Sequence, residues 1–312
     1  MVGIRDIAKE AGVSISTVSY ALNGSPRVSD KTRDKIVEIA NNLNYIPNMA
    51  GQNLRKQKTD IIAVHIASYQ GAFYGDLLQG MHEKATEYGL ELIVCSGKRS
   101  RLLLPQRMID GILVIDNTYS DEELLKYAKL NYPIVVLDRD LRHENIRSVL
   151  LDNTTGTKEA MHSFKRDDIE QVLILSGPKN NFDSQERLAA AMTVAKEEGY
   201  AIEVVEGNFT AESGYAAASQ IQCKEGERLG IFALNDEMAL GAYNYFKEVD
   251  GNIGEDIIIK GFDQSEITQF LTPPIHSVSY SQREWGGRGV ETLMKLILEE
   301  PAENSIIPTY FS

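Results

Sequence analysis

The sequence predicts an α/β protein in which a short all-helical head precedes a larger body made of two doubly wound lobes. The first 46 residues contain three apolar patterns with helical spacing, separated by turn-forming residues. From Ile61 onwards, apolar runs of strand length alternate with helical patterns, which is typical of parallel sheets covered by helices on both faces. This alternation occurs as two series, and each series is long enough to form a lobe.

The head divides into three helices at residues that favour helix ends. Gly12 ends the first helical pattern, Ser14 is suited to cap the second helix and Ser29 to cap the third. Between the last two helices, the segment Asn23–Pro26 has the composition of a tight turn, and Pro47 ends the third helical unit. We therefore predict a three-helix head over residues 1–46 and a hinge or linker over residues 47–60.

The body begins at Ile61 and contains the two alternating series. The first runs from IIAVHIA to PIVVLD, and the second runs from VLILSG to IIIKGFD. Each strand-length run is almost continuously apolar, as expected for strands that are buried on both faces. The series is interrupted at LDNTTG, residues 151–156, where we expect the chain to cross from one lobe to the other.

The composition is that of a globular protein, and the first 60 residues differ in net charge from the rest of the chain. Hydrophobic residues make up 43% and charged residues 25% of the chain, and no apolar run approaches the roughly 20 residues that span a bilayer. The N-terminus lacks a signal-peptide pattern and the two cysteines lack metal-ligand spacing, so we expect a cytoplasmic protein. Residues 1–60 carry +3 and the remainder −16 of the net −13, which makes the head the end suited to phosphates.

The segment after Gly12 has the surface expected of a helix that reads DNA. A helix-turn-helix needs a tight turn before a second helix whose early residues are polar, because that helix enters the major groove. Here Ser16, Thr17 and Ser19 carry hydroxyls where an ordinary helical bundle would usually carry Lys or Glu. The alternative is a plain three-helix bundle without a DNA role, and the residue types favour DNA reading.

The motifs VSISTVSYALNG and NYIPN carry a resemblance to a known family. At this spacing they closely resemble the DNA-binding head of the lactose-repressor/galactose-repressor family of bacterial regulators. Segments such as FALNDEMALGAY and IIIKGFDQSEITQFL extend the resemblance over nearly the whole chain. The resemblance implies a ligand-responsive repressor whose body, residues 61–312, has the two-lobed fold of periplasmic sugar-binding proteins. It places the first lobe at about residues 61–151 and 282–300, and the second at about 152–277 and 303–312.

The resemblance also implies which side chains of the second helix face DNA. By it, Ile15, Ser16 and Tyr20 face the bases, and Thr17 and Ser19 lie closer to the phosphates. The family often has arginine at the position of Tyr20, where it pairs with guanine through two hydrogen bonds. Tyrosine offers one hydrogen bond and an apolar contact with a thymine methyl, so we expect a different operator half-site.

Residues Asn48–Lys56 resemble the family's hinge helix, which folds only on DNA and enters the minor groove as a pair. Asn48 and Arg55 are expected to contact DNA, and Leu54 stands where the family has a leucine wedge that kinks the duplex. Gly51 and Gln52 replace the family's usual alanine and frequent arginine, which makes the helix more dependent on DNA. A flexible linker over residues 47–60 is the alternative, because the segment is too short to form a stable helix alone.

For the body, the resemblance implies an effector bound between the lobes, at the carboxyl ends of the strands. The candidate effector-binding residues are Phe73, Tyr74, Asp138, Arg187, Phe209, Asp236 and Asp263. Arg187 is the strongest candidate, because a buried guanidinium needs a partner. The alternative for Asp138 is a structural salt bridge with Arg139. The alternative for Asp236 is to cap the following helix, and for Phe209 it is to pack in the core.

The connection between Cys95 and Asp110 is shorter than is usual in the family, with room for little more than two helical turns. A polar ligand residue that some relatives carry after this strand is therefore expected to be missing. Arg99 and Arg101 either take its place or lie on a solvated face, and the solvated face is favoured.

Catalytic motifs are absent from the sequence. It contains no G-x-S-x-G, no HExxH, no P-loop and no paired Cys and His, so we expect no enzyme activity, no cofactor and no metal. A sugar-binding protein without a DNA role is the alternative function, and the complete head argues against it.

The expected partners are near-palindromic operator DNA, a second copy of the chain in a homodimer, and a small effector, with no membrane partner. A mono- or oligosaccharide is favoured as effector over a purine or a phosphorylated protein. No leucine-heptad tail follows the last strand, which favours a dimer over a tetramer. The stripe of Leu77, Leu78 and Met81 is either a dimer face or an ordinary buried helix face.

Overall fold

The computed structural model describes residues 2–46, 58–69, 73–221 and 227–311. The chain forms two compact units, Met1–Lys58 and Thr59–Ser312, which are described separately here as the head and the body. The hinge residues Asn48, Gly51, Gln52, Leu54 and Arg55 lie outside the described residues.

The head contains the three helices that its sequence predicts. They are α1 (Ile4–Ala11), α2 (Ile15–Leu22) and α3 (Asp30–Asn42). Gly12 ends α1 with a φ of 68°, a left-handed conformation that glycine adopts without strain. Ser14 and Ser29 each accept a hydrogen bond from the backbone N–H three residues later, and so cap α2 and α3. The core of the head includes one fully buried side chain from each helix: Ile7, Val18 and Ile36.

The first lobe is built on a parallel sheet that has six strands among the described residues. These are β1 (Ile61–Ile66), β2 (Glu91–Cys95), β3 (Gly111–Ile115), β4 (Ile134–Val136), β5 (Ile146–Leu151) and, from the far end of the chain, β11 (Ser305–Ile307). Their order across the sheet is β11-β5-β4-β3-β1-β2. The helices of this lobe are α4 (Tyr74–Glu87), α5 (Asp121–Ala128) and α11 (Gln282–Ile297). Every residue of β3 and β4 is buried, as predicted for a sheet covered on both faces.

The second lobe repeats this architecture around a sheet of five described strands. These are β6 (Gln171–Ser176), β7 (Ala201–Glu206), β8 (Leu229–Ala233), β9 (Ile257–Phe262) and β10 (His276–Val278), in the order β10-β9-β8-β6-β7. Its helices are α6 (Thr155–Ser163), α7 (Phe182–Glu198), α8 (Ala211–Ala218), α9 (Asp236–Glu248) and α10 (Glu266–Gln269). None of the helices described in the two units has both the length and the apolar character needed to cross a membrane.

The last strand departs from the predicted lobe boundaries. The prediction grouped residues 303–312 with the second lobe, but β11 pairs in parallel with β5 of the first sheet. The backbone N–H of Ser148 donates to Asn304 Oδ1 at 3.0 Å, and Arg147 donates to the carbonyl of Ala302. Helix α11 packs against β3, β4 and β5, so the chain that leaves it meets the free edge of β5 first.

Arg101 is buried, so the prediction that it lies on a solvated face is wrong. The short connection between β2 and β3 contains one 3-10 turn, Ser100–Leu102, which leaves Arg101 only 8% exposed. Its guanidinium lies 3.5 Å from Asp116, 3.4 Å from Glu123 and 4.5 Å from the ring centre of Tyr119. Because the connection has no full helix between β2 and β3, the turn folds onto the end of β3. Asp116, Glu123 and Tyr119 then offset the cost of burying the charge of Arg101.

The apolar stripe on α4 belongs to the core of the first lobe. Leu77 and Met81 are fully buried, and Leu78 packs against the same core. Helices α4 and α11 approach so closely that a Cβ on Gly80 would lie 2.1 Å from the carbonyl oxygen of Arg283. Of the two roles considered for the stripe, the buried helix face is the one that the structure shows for Leu77 and Met81.

Candidate functional site

Helix α2 exposes the side chains that were predicted to face DNA bases. Ile15 and Tyr20 are 46% and 38% exposed, and Ser16 is exposed as well. Val18 and Ala21, on the opposite face of the helix, are buried in the core of the head. This packing fixes the rotation of α2 about its own axis within the head. The face that stays accessible contains Ile15 and Ser16 in the first turn and Tyr20 in the next.

The backbones of Thr17 and Ser19 take part in the hydrogen bonds that cap the two ends of α2. Ser14 Oγ accepts the backbone N–H of Thr17 at 3.1 Å and lies 2.8 Å from Thr17 Oγ1. Asn23 Nδ2 donates to the carbonyl oxygen of Ser19 at 2.7 Å. Both termini of the helix are therefore tied down locally, and the contacts of Thr17 and Ser19 with phosphates stay predictions.

Arg27 lies beside Tyr20, a contact that the sequence reasoning missed. Arg27 Nη1 donates to the Tyr20 hydroxyl at 3.1 Å, and the guanidinium lies 5.3 Å from the ring centre. The turn that brings Arg27 round is visible in the sequence at residues 23–26, but turn composition does not give the direction of the next side chain. The contact places a guanidinium close to the position at which the resemblance described above implies a frequent arginine.

The body contains a cleft of about 610 Å³ between its two lobes. Residues that follow strands of both sheets line it: Ser68 after β1, Asn117 after β3, Asp138 after β4, Asn208 after β7, Asn235 after β8 and Asp263 after β9. Parallel strands bring such residues together because all their carboxyl ends lie at one edge of the sheet. Of the seven predicted effector residues, all except Asp236 line this cleft.

Arg187 lines the cleft although it is only 4% exposed. Its Nε donates to Asn153 Oδ1 at 2.8 Å, and its Nη1 donates to the carbonyl of Leu234 at 2.7 Å. The guanidinium also lies over the ring of Phe262, 3.5 Å from the ring centre. Protein partners therefore offset much of the cost of burying Arg187, so its burial alone does not require a ligand.

Asp263 follows β9 in a backbone conformation that residues other than glycine rarely adopt. Its φ is 110°, and such conformations persist only where the surroundings hold them, commonly at ligand sites. The hydroxyl of Tyr280 donates to Asp263 Oδ1 at 2.8 Å. Burial raises the pKa of Asp263 to about 7, although the positive charge of Arg187 opposes the rise. Near neutral pH the carboxyl can therefore either donate a hydrogen bond to a hydroxyl or accept one from it.

Four aromatic side chains line the described part of the cleft: Phe73, Tyr74, Phe209 and Trp285. Phe73 packs edge-to-face against Tyr74 and Trp285, with ring centres 5.1 and 6.1 Å apart. Phe209 has a φ of 67°. Its ring packs so closely on Gly177 that a Cβ added to Gly177 would lie 2.2 Å from the ring. Phe209 also packs against the hydrophobic core. It therefore lines the cleft and belongs to the core at the same time, as its two alternative predictions required.

Asp138 lines the cleft and also forms the salt bridge that was its alternative role. Arg139 donates Nε and Nη2 to the two carboxylate oxygens, each at 2.9 Å. The same guanidinium donates to Asp121 Oδ1 at 2.9 Å. Burial raises the pKa of Asp138, while the hydrogen bonds and charge of Arg139 act in the opposite direction. The charge of Asp138 is thus balanced by its neighbour before any ligand binds.

Asp236 lies behind the cleft, so its prediction as a lining residue is wrong, and so is its alternative as a helix cap. Its Oδ1 accepts from Ser277 Oγ at 2.6 Å, and its Oδ2 accepts from the Ser265 N–H at 2.6 Å and from Thr268 Oγ1 at 3.1 Å. Burial raises its pKa to about 6. Asn235 caps α9 instead. As the first residue of α9, Asp236 turns towards β10 and α10 and connects these elements.

Sequence reasoning also missed polar residues that line the cleft, among them Asp183, Glu212, Asn235 and Glu237. Asn235 and Glu237 flank Asp236, so the segment FALNDEMALGAY located the position but not the side chains that face the cleft. Asp183 precedes Arg187 by four residues on α7, a spacing that puts two side chains on one helix face. That spacing is the signal that would have found it.

Comparisons with known proteins match both parts of the chain. Residues 3–48 match the family model of bacterial regulatory proteins of the lacI family. Residues 163–311 match the model of a periplasmic binding protein-like domain. The first match covers the helical head, and the second covers most of the second lobe together with α11 and β11 of the first.

Similar proteins include solved structures and a curated relative. A sugar-binding transcriptional regulator of the LacI family from Enterococcus faecalis is 42% identical, with a TM-score of 0.77 over 82% of this chain and 96% of that one. The probable HTH-type transcriptional repressor ExuR of Bacillus subtilis is 29% identical over 96% of this chain and 92% of its own. A lac repressor dimer bound to operator and the anti-inducer ONPF is 24% identical, with a TM-score of 0.83 over 99% and 97% of the two chains, which shows a shared fold.

Proposed function

The chain belongs to the LacI family of bacterial regulatory proteins, and on that premise we propose that it represses transcription from an operator under the control of a sugar. Family membership makes it a DNA-binding transcription regulator with a ligand-binding domain, and not an enzyme. The observation that carries the proposal is that one chain contains both an exposed reading helix, α2, and a two-lobed body with a polar and aromatic cleft.

The DNA contacts that we propose come from α2 and the hinge. The base-facing residues are Ile15, Ser16 and Tyr20, and the phosphate-facing residues are Thr17 and Ser19. In the hinge, Asn48 and Arg55 contact the duplex, and Leu54 acts as the wedge. The exposure of the reading face of α2 supports the first set. The hinge set rests on the family resemblance.

The effector contacts that we propose come from the six predicted residues that line the cleft, namely Phe73, Tyr74, Asp138, Arg187, Phe209 and Asp263. Hydroxyl groups of a sugar would bond to the carboxyl of Asp263 and the amide of Asn235, and its apolar faces would meet the aromatic rings. The Enterococcus faecalis relative is described as sugar-binding, which supports a sugar over a purine.

The coupling that we propose runs from the cleft to the operator. Binding of the sugar changes the angle between the lobes, and this angle sets how well the two hinges of a dimer fit DNA. The chain would act in the cytoplasm as a homodimer on a near-palindromic operator, with a head at 1–46, a hinge at 47–60 and a body at 61–312. The lac repressor relative, seen as a dimer on its operator, supports the assembly.

The test begins with selection of an operator from random duplexes by the full-length protein. Fluorescence anisotropy then measures operator affinity at several salt concentrations, with and without each sugar of a panel. We expect binding that exceeds non-specific binding by at least about a thousandfold and that changes when one sugar is added. Affinity that is equal for selected and scrambled duplexes would contradict the proposal.

The hinge is tested with a single substitution in the same assay. Leu54→Ala should lower operator affinity at least about tenfold, because the wedge no longer opens the base step. Met192→Ala, at an exposed position on α7 of the body, is the control and should leave affinity unchanged. Equal affinities for the two variants would remove the wedge from the proposal.

A further inference from the structure

The second lobe contains a pocket of about 370 Å³ that shares no described lining residue with the cleft. It lies between the 3-10 turn Phe164–Asp167, which follows α6, and the first residues of β9 and β10. Helix α6 leads from one site to the other. Asn153, just before this helix, bonds to Arg187 of the cleft, and Ser163, its last residue, lines the pocket. The nine residues of α6 rise by about 13 Å, so the two sites are separate.

Lys260 is a buried cation in the wall of this pocket. It belongs to β9 and is only 4% exposed. Its Nζ donates to Ser163 Oγ and to Asp167 Oδ2, each at 2.6 Å, and lies 4.0 Å from the ring centre of Phe164. A buried ammonium needs such partners, because an unpaired charge is costly to remove from water. Asp167 therefore acts as the counter-charge of Lys260.

A second cation, Arg166, lines the same pocket. Its guanidinium has no hydrogen-bond or ion-pair partner among the described residues. The charge of Arg166 nevertheless reaches Lys260: burial lowers the pKa of Lys260, Asp167 opposes the fall, and Arg166 adds to it. Two strong bases thus share one carboxylate in the described lining, and the positive charge of Arg166 is left without a counter-charge.

The acids around the pocket do not supply that counter-charge. Those that adjoin lining residues are exposed and do not line the pocket themselves, namely Glu159, Asp168, Glu255 and Asp256. Glu159 accepts the backbone N–H of Phe311 at 2.8 Å, and the carboxylates of Glu255 and Asp256 accept from Asn252 at 3.0 and 3.1 Å. Exposed charges are screened by water and salt, so the lining itself stays net positive.

Most of the remaining lining is apolar. It consists of isoleucines from β9 and from positions 253 and 275, of Pro273 and Pro274, and of Phe311. The ring centre of Phe311 lies 5.7 Å from Lys260 Nζ, so the apolar wall and the cations adjoin each other. A complementary ligand therefore combines a negative group with an apolar body, and the volume of the pocket requires that body to be compact.

We propose that this pocket is a second binding site, for a small organic anion whose carboxylate or phosphate group pairs with Arg166 beside Lys260 and whose apolar body packs on Phe311. A guanidinium suits either group, because its fork of N–H donors matches two oxygens at once. The site goes beyond the proposed sugar effector and does not depend on it, since the described linings of the pocket and the cleft have no residue in common.

The first test compares four probes by calorimetry with the full-length protein at low salt: benzoate, phenyl phosphate, acetate and benzyl alcohol. The two aromatic anions should bind at least about tenfold more tightly than acetate, which lacks the apolar body, and than benzyl alcohol, which lacks the charge. The tighter of the two identifies the preferred negative group. If neither aromatic anion binds more tightly than both partial probes, the proposal is overturned.

Substitutions then locate the bound anion. Arg166→Gln should weaken its binding at least about tenfold, because a charge-assisted pair is lost, and Phe311→Ala should weaken it by removing an apolar wall. Arg99→Gln, at an exposed arginine of the first lobe, is the control and should leave the affinity unchanged. Arg166 is also exposed, so its replacement should preserve the fold, as urea denaturation can verify. Equal affinities of wild type and Arg166→Gln would mean that the anion binds elsewhere, for example at Arg187 in the cleft, and would overturn the proposal.

A second test measures the charge of the pocket without any ligand. His276→Cys places a thiol at an exposed position of the lining, and Met192→Cys places one on the exposed surface of α7. Both are made in a Cys223→Ser background, since Cys95 is buried. Labelling rates are measured with methanethiosulfonates that carry a sulfonate or a trimethylammonium group.

The anion-to-cation rate ratio should be at least about threefold higher at the pocket thiol than at the surface thiol. Adding Arg166→Gln should lower the ratio at the pocket thiol and leave the ratio at the surface thiol unchanged. Equal ratios at the two thiols would overturn the proposal, because it requires a net positive pocket. Neither test measures operator binding, so a failure here leaves the proposed function standing, and a failure of sugar control leaves this site standing.

Discussion

The head and the body place their candidate functional side chains in opposite environments. In the head, Ile15 and Tyr20 project from an exposed face of α2, and the core of the head lies on the other face. In the body, Arg187 and Asp263 are held by hydrogen bonds with residues distant in the chain. A substitution on the exposed face of α2 should therefore change DNA binding at almost constant stability, whereas a substitution of a buried residue around the cleft should change ligand binding and stability together.

The largest stability effect is expected at Asp236, in the scaffold behind the cleft. Asp236→Ala should lower the free energy of unfolding by about 3 kcal/mol, because Ser277, Thr268 and the Ser265 N–H lose a buried acceptor at once. Urea denaturation of the full-length protein measures the change. If the contrast between head and body is right, Asp236→Ala lowers the free energy of unfolding far more than any substitution on the exposed face of α2 does.

Glu212→Ala is the matched control for Asp236→Ala. Both residues are carboxylates in the first turn of a helix, but Glu212 is exposed. We expect its loss to change the free energy of unfolding by no more than about 0.5 kcal/mol. Similar losses for the two variants would show that Asp236 is not the connecting residue that its hydrogen bonds indicate.

Stability should also depend on pH in a way that reports Asp263. Its pKa is about 7 in the fold and about 3.9 in an unfolded chain. Between these values the folded protein retains a proton that the unfolded chain has released, so the free energy of unfolding falls as pH rises. From pH 5 to pH 7 the contribution of Asp263 should fall by about 2 kcal/mol.

Asp263→Asn should flatten this decline, because an amide does not titrate. Asp236, with a pKa of about 6, contributes in the same direction and accounts for part of the slope that remains. Asp250→Asn, at an exposed aspartate that also has a positive φ, is the control and should leave the slope unchanged. A wild-type slope in Asp263→Asn would mean that Asp263 is ionised throughout this range.

A smaller effect is expected at Gly177, and it is measured as ligand binding. A Cβ there would overlap the ring of Phe209, so Gly177→Ala must displace the ring from its place in the cleft wall. Sugar affinity should fall at least about tenfold, or 1.4 kcal/mol, by calorimetry with the sugar that alters operator binding. Gly75→Ala, a helical position with no atom near its Cβ, should leave affinity unchanged. Normal affinity in Gly177→Ala would exclude Phe209 from the binding surface.

The same contrast explains how far the sequence could predict each part. The helices of the head and the caps at Ser14 and Ser29 followed from local patterns, because a helix end depends on residues within one turn of it. The exposed face of α2 followed in the same way. The contact between Arg27 and Tyr20 did not, since the turn between them sets its geometry.

In the body, the sequence indicated the two lobes and most strands but not every partner. Strand β5 was not among the predicted strands. Strand β11 joined the first lobe because its partner is decided by pairing across the sheet. Asp236 and Arg101 were misplaced for the same reason. Each is held by residues distant in the chain, and helical or strand periodicity carries no information about those.

The smallest effect on binding should come from replacing Arg27, in the head. It tests most directly whether the exposed face of the head can change DNA affinity without changing stability. Arg27→Ala removes a hydrogen bond to Tyr20 and one positive charge from the exposed side of the head. Operator affinity should fall about three- to tenfold, and the slope of log affinity against log salt should become shallower by about 0.9 if the guanidinium also meets a phosphate. Anisotropy titrations at several salt concentrations measure both quantities, and stability should change by no more than about 0.5 kcal/mol.

Tyr20→Phe separates the two contributions of Arg27. It removes the hydroxyl that accepts from Arg27 and keeps both the ring and the nearby guanidinium. If Arg27 only orients Tyr20, the two variants lose the same affinity and neither changes the salt slope. If Arg27 contacts the backbone of DNA, only Arg27→Ala changes the slope. A large loss of stability in either variant would break the contrast itself, because the exposed face of α2 would then also be part of what holds the head together.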